Sequence, residues 1–597
     1  MSRSLKSRAW RNPEKMNKSR VSIRRSAVQL ILKIKVSVLL ISTMMVLVIV
    51  MACASPQPTA TPVPPQPPAT PVAPQTSATP TAVTAPTSPT PVLATATPTR
   101  IAPTATPVAV AKPRYGGVLR YVPIALDAVT VDPRYGVARS ELPPQILIFR
   151  NIVAVGKGWE IVPDLTKSWE FSADGKTVTF RLKEGIKFQD GTDLDANTIK
   201  WFFEWQLDPK TGHQQRGTLE SAGVQKVDVI DKTTFALQLK NPYRPLLSLL
   251  ATRSGFVPSP TAINKLGADF AKAPVGAGPF SLQEFRPGDY MKVRKVDNYW
   301  EKDKPYLDGV LFQNVPDEGV RLAMLRTDET DMIEDITPQL SDIVKRNPSL
   351  VLNEFPSDRM YTLAFDVTYS PFDNKALRQA VAYAVDRQKL AQAAFGGAAR
   401  VASGYEASGW ANNPNLTIPF DTQKAKAKLA EAGYPNGITL PIWCPSSSFW
   451  TQLCETYQAI LSDSNIKLDI KLIPLADRIN AWFDGRAHFG PQLRSPIAGD
   501  PGARFRYWFS AETVYNARMT RYFNPEVTRL LNEGDSLYDT QKAKAAYDKM
   551  QEILVGDVVW TFDVWVTVFT GLNKRVQNWG MIPDLYPRLS EIWLSGN

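Results

Sequence analysis

Apolar positions along the chain fall into three regimes. From Val36 to Ala52 apolar or small residues run unbroken for about 17 positions, near the lower limit for a membrane span. From Ala54 to Pro113 the chain is a low-complexity mixture of Pro, Thr, Ala and Val with recurring A-T-P and P-T units. From Arg114 to Asn597 apolar residues recur in short blocks separated by Gly, Pro, Asn and Asp. Those blocks predict strand and helix in mixture. Val118–Val122 (VLRYV) reads as a strand, and the apolar segment from Ile146 to Val155 reads as helix. Trp169–Phe171 and Val178–Leu182 flank Asp174-Gly175, a strong hairpin signal. A helix starts near Leu194-Asp195-Ala196 and carries Trp201, Phe202 and Trp205, and Thr234–Leu239 alternates as a strand.

The stretch from Pro274 to Trp300 (PVGAGPFSLQEFRPGDYMKVRKVDNYW) combines Gly276 and Gly278 with an apolar run from Phe280 to Phe285, the turn Pro287-Gly288-Asp289, and a second run from Tyr290 to Val296. It reads as loop, strand, tight turn, strand. A phosphate cradle is excluded, because G-A-G-P lacks the G-x-G-x-x-G spacing and leads into strand instead of a helix N-terminus. Further on, Leu350–Phe355 and Met360–Phe365 read as two strands. Asp373 or Asn374 caps a helix whose Leu377, Val381 and Val385 share one face, and Asp421 precedes a helix stopped by Gly433 and Pro435. About 480 residues are too many for one core, so two or three packed units are expected. The mixed pattern, with late segments returning to the first unit, fits a two-lobed α/β clamshell.

Charge changes the picture at one end only. The chain carries a formal +12, which would suggest nucleic acid, but residues 3–35 hold eleven Lys/Arg against Glu14 alone. Arg100 and Lys112 account for the remaining two, so the sequence from Pro113 onward is neutral overall and no nucleic-acid partner is expected. A basic stretch, an apolar run and a small-residue junction form the grammar of an export signal, here residues 1–52; Met16 is the expected initiator, since it gives a leader of ordinary length. The junction Val50-Met51-Ala52-Cys53 resembles a bacterial lipobox, which makes Cys53 the lipidated first residue of a membrane-anchored protein; an uncleaved signal anchor is the alternative. Residues 53–113 then form a Pro/Thr-rich tether that at roughly 3 Å per residue could reach beyond about 100 Å.

The parts of an enzyme are missing. His213 and His488 stand far apart, without Cys or carboxylate at metal-ligand spacing, and no H-E-x-x-H, G-x-S-x-G, P-loop or C-x-x-C occurs. Carboxylates are plentiful and a catalytic pair of them leaves no spacing signature, but with none of the recognisable constellations present no enzyme, metal or cofactor is expected. Cys444 and Cys454 fit a disulfide closing a short loop, and equally a pair of buried thiols. Tyr405, Trp410, Trp443 and Trp450 lie in turn-rich stretches that suit either a cleft lining or a core.

Several segments together resemble a known family. GGVLRYV with Val131-Asp132-Pro133, PDLTKSWEFSADGKTVTFRLKEGIKFQDGTDLDANTIKW, PVGAGPFSLQEFRPGDY, DEGVRLAMLRTDETDMI from Asp317, Ser370-Pro371-Phe372-Asp373 with ALRQAVAYAVDRQK, and KAKAKLAEAGYPNG from Lys424 are similar, in order, to the family 5 extracytoplasmic solute-binding proteins of peptide/nickel ABC transporters. The resemblance covers essentially the whole body. It implies a periplasmic-binding-protein-like clamshell of type II, a Venus flytrap with an extra subdomain inserted in its first lobe. Lobe I would comprise residues 114–157, 275–365 and 561–597, its inserted subdomain residues 158–274, and lobe II residues 366–560.

The resemblance further implies a monomer that captures a small-molecule or peptide ligand and delivers it to the transmembrane subunits of an ABC permease. A membrane-anchored sensor or interaction protein built on the same clamshell is the alternative. Glu141, ahead of Pro143-Pro144, falls near the glutamate that helps hold the ligand in peptide-binding relatives. RSPIAGDPGARF matches the second-lobe loop: Asp500-Pro501 keeps the acid–proline pair, Arg494 replaces the expected Trp, and Ile497 replaces the amino-binding carboxylate. An aliphatic side chain cannot pair with an ammonium, and an exposed Arg there favours an anion or a carboxylate-bearing ligand. Asp500 also reads as a simple loop cap. The ligand set expected is therefore Glu141, Tyr405, Trp410, Trp443, Arg494 and Asp500.

The lipobox yields a direct expectation. Cys53→Ala should abolish palmitate incorporation and leave the precursor uncleaved, both visible by metabolic labelling and intact mass; unchanged labelling would exclude Cys53 as the acceptor.

Overall fold

The computed structural model describes residues 112–123, 130–135, 142–406, 409–495, 499–580 and 587–596. The leader, Cys53 with nearly all of the tether, Glu141 and Ile497 lie outside them. The described chain is a two-lobed α/β clamshell organised on a nine-stranded sheet. Its strands run in the order Phe489–Arg494, Leu350–Phe365, Val564–Asn573, Met332–Glu334, Val118–Val122, Gly309–Gln313, Tyr290–Lys295, Phe280–Arg286, with Ala399–Val401 pairing onto Val564–Val566. Val118–Val122 is parallel to both neighbours, while the hairpin Phe280–Arg286/Tyr290–Lys295 closes the edge.

Two strands of this sheet are long enough to serve both lobes. Leu350–Phe365 runs antiparallel to Val564–Asn573 from Leu350 opposite Asn573 to Tyr361 opposite Val564. Its far end, Met360–Phe365, also pairs with Phe489–Arg494, which places Met360 directly opposite Arg494. The two runs expected at 350–355 and 360–365 are thus one strand with an irregularity between Pro356 and Met360. Proline has no N–H to give the ladder, so the register slips there. Ser357 repairs the gap: its hydroxyl donates to Val566 O at 2.6 Å and accepts from Arg359 N at 3.1 Å.

A separate four-stranded antiparallel sheet holds Thr166–Phe171, Thr177–Leu182, Thr234–Leu239 and Val224–Val229 in that order. Gly175 takes φ +66° in the Asp174-Gly175 turn, where a Cβ would be strained. Helix Ala196–Leu207 covers this sheet, with Ile199, Phe202 and Phe203 buried at helical spacing. Asp195 caps it by accepting from Thr198 N, and Thr198 reciprocates. Trp201 and Trp205, on the other side of the helix, pack also against the core of the main sheet, so the two layers share one seam. The stretch expected as helix over 146–155 divides: Leu142–Ile148 is helical, but Val153–Val155 pairs with Ile161–Pro163 as strand, as β-branched residues favour.

Beyond Phe365 the chain becomes predominantly helical. Asn374, not Asp373, caps Lys375–Ala384 by accepting from Ala376 N and Leu377 N, and Asp421 caps Thr422–Glu431. Ile438–Ser446 and Ile466–Pro474 form a parallel pair joined by helix Ser448–Ser462. A disulfide between Cys444 and Cys454 ties strand to helix, with Cα atoms 6.4 Å apart.

The loop at Gly276 and Gly278 is where the chain passes from the four-stranded layer into the edge of the main sheet. Neither glycine needs a positive φ; both are small because backbone lies against them. A Cβ on Gly276 would meet Ile148 O at 2.1 Å, and one on Gly278 would meet Leu147 O at 2.2 Å. Gln189 locks the approach, its amide donating to Ile148 O, Gly278 O and Phe280 O and accepting from Gly276 N. Gly288 differs: it takes φ +78° with open space around it. Gly278→Ala should therefore cost about 1–3 kcal/mol by forcing backbone apart, and Gly288→Ala about 1 kcal/mol by strain alone. Thermal melts of the two variants check the order; a larger loss at Gly288 would contradict the packing account.

Candidate functional site

Between the lobes lies a cavity of about 1740 Å³, walled by residues of the first lobe, among them Arg150, Asn151 and Phe256, and of the second, among them Arg478, Arg494 and Trp508. It exceeds the several hundred Å³ common for drug-sized ligands. The lobes meet beside it. Arg244, next to the four-stranded sheet, forms a two-pronged ion pair with Asp500 and donates to Tyr547 Oη at 3.0 Å. Arg244 N donates to Asp535 O at 2.8 Å, Tyr538 Oη donates to Gly175 O at 3.1 Å, and Trp410 covers the guanidinium at 4.4 Å. Asp500 at the same time caps helix Pro501–Phe509 through Gly502 N. Burial pushes its carboxyl up to about 6 against the pull of Arg244. Asp500 is therefore cap and inter-lobe partner, and it does not line the cavity wall.

Arg494 ends the strand that lies opposite Met360. It is not exposed: only 3% of its surface meets solvent. Its guanidinium lies in the corner of two indoles set edge-to-face, 4.3 Å from the Trp508 ring and 4.3 Å from the Trp560 ring. Nη2 faces Met519 Sδ at 3.2 Å, and Nε is buried without a hydrogen-bond partner. Among the described residues no carboxylate forms an ion pair with it. Burial, against weak support from the Tyr405 hydroxyl, pulls its pKa down to about 9. With Nε unpartnered and no acid paired to it, the guanidinium keeps donors that suit a planar acceptor such as a carboxylate.

Next to Arg494 a second void of about 10 Å³, room for roughly one water, is lined by Asp358, Tyr405, Glu406 and Arg504 as well. Arg504 bridges the two acids, 3.2 Å from Asp358 Oδ2 and 2.7 Å from Glu406 Oε2. The second contact is out of line for a hydrogen bond. The Trp159 ring from the first lobe covers Arg504 at 4.7 Å. Tyr405 reaches this void but packs mainly on Phe505, Phe509 and Trp560. Trp443 lies away from the cavity, its ring edge-on to His488 at 5.6 Å, and Trp410 belongs to the Arg244 contact. Trp450 packs on Tyr361 and Phe449. Sequence reasoning did not reach Arg478, Arg504, Glu406, Trp508 or Trp560; no spacing links them, since the fold brings them together from distant stretches.

The histidines are engaged elsewhere. His213 is buried edge-on to Trp205 and accepts from Gln215 N, and burial lowers it to about 4. His488 Nδ1 lies 2.9 Å from Asp366 Oδ2 under a stacked Tyr369. Among the described residues no cluster of His, Cys, Asp or Glu is arranged to hold a metal, and no helix is long and apolar enough to cross a membrane.

Burial raises Glu406 from 4.5 to about 8, and the opposing pull of Arg504 does not offset it. The folded protein then holds a proton that the unfolded chain releases over that interval, so this stability is present at low pH and lost as pH rises. The melting temperature should fall between about pH 5 and pH 8, and Glu406→Gln should flatten that fall. An unchanged slope in the variant would remove Glu406 as the cause.

Sequence and structure comparisons agree with this architecture. The family described as bacterial extracellular solute-binding proteins, family 5 Middle, matches residues 160–516. The glutathione-binding protein GsiB of Shigella flexneri is 29% identical over 448 residues, covering 73% of this chain and 86% of that protein, and GsiB of Escherichia coli strain K12 matches to the same extent. Among solved structures, the periplasmic binding protein DppA from Helicobacter pylori with the peptide STSA superposes with a TM-score of 0.74 at 22% identity, over 81% of this chain and 99% of that one. AgaA of A. tumefacien R10 with agropinic acid superposes with a TM-score of 0.71 at 26% identity, over 81% and 99%. These relatives are substrate-binding transport proteins and not enzymes. With its two lobes, its walled cavity and a family match spanning more than half its length, the chain belongs to the family 5 bacterial extracellular solute-binding proteins.

Proposed function

We propose that the protein is a membrane-tethered lipoprotein that captures a carboxylate-bearing solute between its lobes and delivers it to an ABC permease for import. The observation that carries the ligand class is Arg494: a buried cation set against two indoles, its Nε unpartnered and no ion pair formed among the described residues, in the wall of the inter-lobe cavity. A charge held this way in the empty protein is costly, and a carboxylate arriving in plane answers it with two charge-assisted hydrogen bonds. The names of the relatives lend support. Glutathione and agropinic acid are both acids, and each is attached to a similar protein.

Capture proceeds by hinge closure. Only contacts made better in the closed form shift the population toward it. The Arg244–Asp500 pair contributes to closure whatever the solute, and the guanidinium of Arg494 makes closure depend on an acid. The tether and Cys53 would keep the loaded body near the permease.

Arg494→Met should have two opposite effects. The empty protein should become more stable by about 1–4 kcal/mol, because an unanswered buried charge is replaced by an apolar chain of similar length. Affinity for glutathione, the first probe, or for an acid recovered with the purified protein by native mass spectrometry, should fall about 100-fold or more. Melting curves and titration calorimetry read the two effects, and undiminished affinity would overturn the carboxylate reading.

A further inference from the structure

We infer that the solute carries two acidic groups, the second seated against Arg478; this rests on the carboxylate reading above and extends it.

Arg478 shares the cavity wall with Arg494. It follows the strand Ile466–Pro474 and lies 5.4 Å from the face of the Trp450 ring. Its Nη1 is buried without a hydrogen-bond partner, and among the described residues it forms no ion pair. Burial lowers its pKa, and the neighbours that oppose this are tyrosines, Tyr361 and Tyr515, and no acid. Arg478 is also close enough to disfavour the charge of Arg494. Among the described residues neither guanidinium is paired with an acid, although phenols such as Tyr507 and Tyr515 share the wall with them.

Two other arginines of the same cavity are answered within the protein. Arg150 pairs with Asp164, and Arg506 pairs with Asp535. The two unanswered arginines therefore stand out against Arg150 and Arg506 in the same wall. A solute with a single carboxylate would satisfy Arg494 and leave Arg478 buried beside it with its charge uncompensated. A diacid neutralises both, and in doing so removes the repulsion between them. Neither arginine offers an acceptor, so an amine at either seat would meet only donors.

Thermal shift with simple carboxylates tests this on the intact protein. The probes are acetate and the α,ω-dicarboxylates from succinate to pimelate, matched in carboxylate concentration and ionic strength. One or more dicarboxylates should bind about tenfold or more tightly than acetate. Arg478→Met and, as a milder second variant, Arg478→Gln should abolish that preference while leaving the acetate response intact; Arg494→Met should weaken all the probes. If acetate and every dicarboxylate act alike on the unmodified protein, the second seat is wrong and the carboxylate reading stands. If both Arg478 variants keep the preference, the second seat is likewise wrong. If no carboxylate shifts the melt at all, both readings fall together.

Discussion

The burial of the Arg494 guanidinium without a counter-ion is the constraint around which the site is arranged. A cation withdrawn from water normally brings an acid with it. Here two indoles and a thioether supply what stabilisation the empty protein has, through π-faces and a polarisable sulfur. This leaves the charge tolerated but not satisfied. The neighbouring Asp358–Arg504–Glu406 group shows the alternative arrangement, in which an arginine is answered by two acids. The contrast between adjacent arginines is what the proposed carboxylate reading rests on.

Closure of the lobes has its own chemistry, separate from solute recognition. Arg244 and Asp500 come from segments that the nine-stranded sheet does not contain, and they meet only because the four-stranded layer and the helix Pro501–Phe509 face one another. Asp500 caps its helix and pairs across the cleft with the same carboxylate. The cap orients the carboxylate before the lobes meet, so less freedom is lost when the pair forms. Tyr547 and Asp535 extend the contact into the second lobe.

Much of the fold was legible in the sequence because its signals are local. Asp174-Gly175 between alternating runs gave a hairpin, and Asp195, Asn374 and Asp421 each cap the helix that follows them. The long strand Leu350–Phe365 was read as two, since Pro356 breaks the pattern and only pairing with distant Val564–Asn573 reveals its continuity. Aromatic residues in turn-rich stretches misdirected the site: Trp443 and Trp450 pack inside the second lobe, where loops fold over a core. Arg494 was noticed through its place in a loop motif, but its burial was not, because Trp508 and Trp560 approach it from remote parts of the chain. Side chains that act by long-range convergence leave no spacing to read.

The place of Arg494 in the sheet has a mechanical consequence. It stands opposite Met360, at the end of the irregularity where the two long antiparallel strands pass from one lobe to the other. Two hydrogen-bonded strands bend as a ribbon, about one axis, and resist rotation about the others. Were the lobes to part about that axis, a side chain beside it would sweep only a short arc. On the proposed reading, the end of a solute paired with Arg494 would then be the end least disturbed by opening.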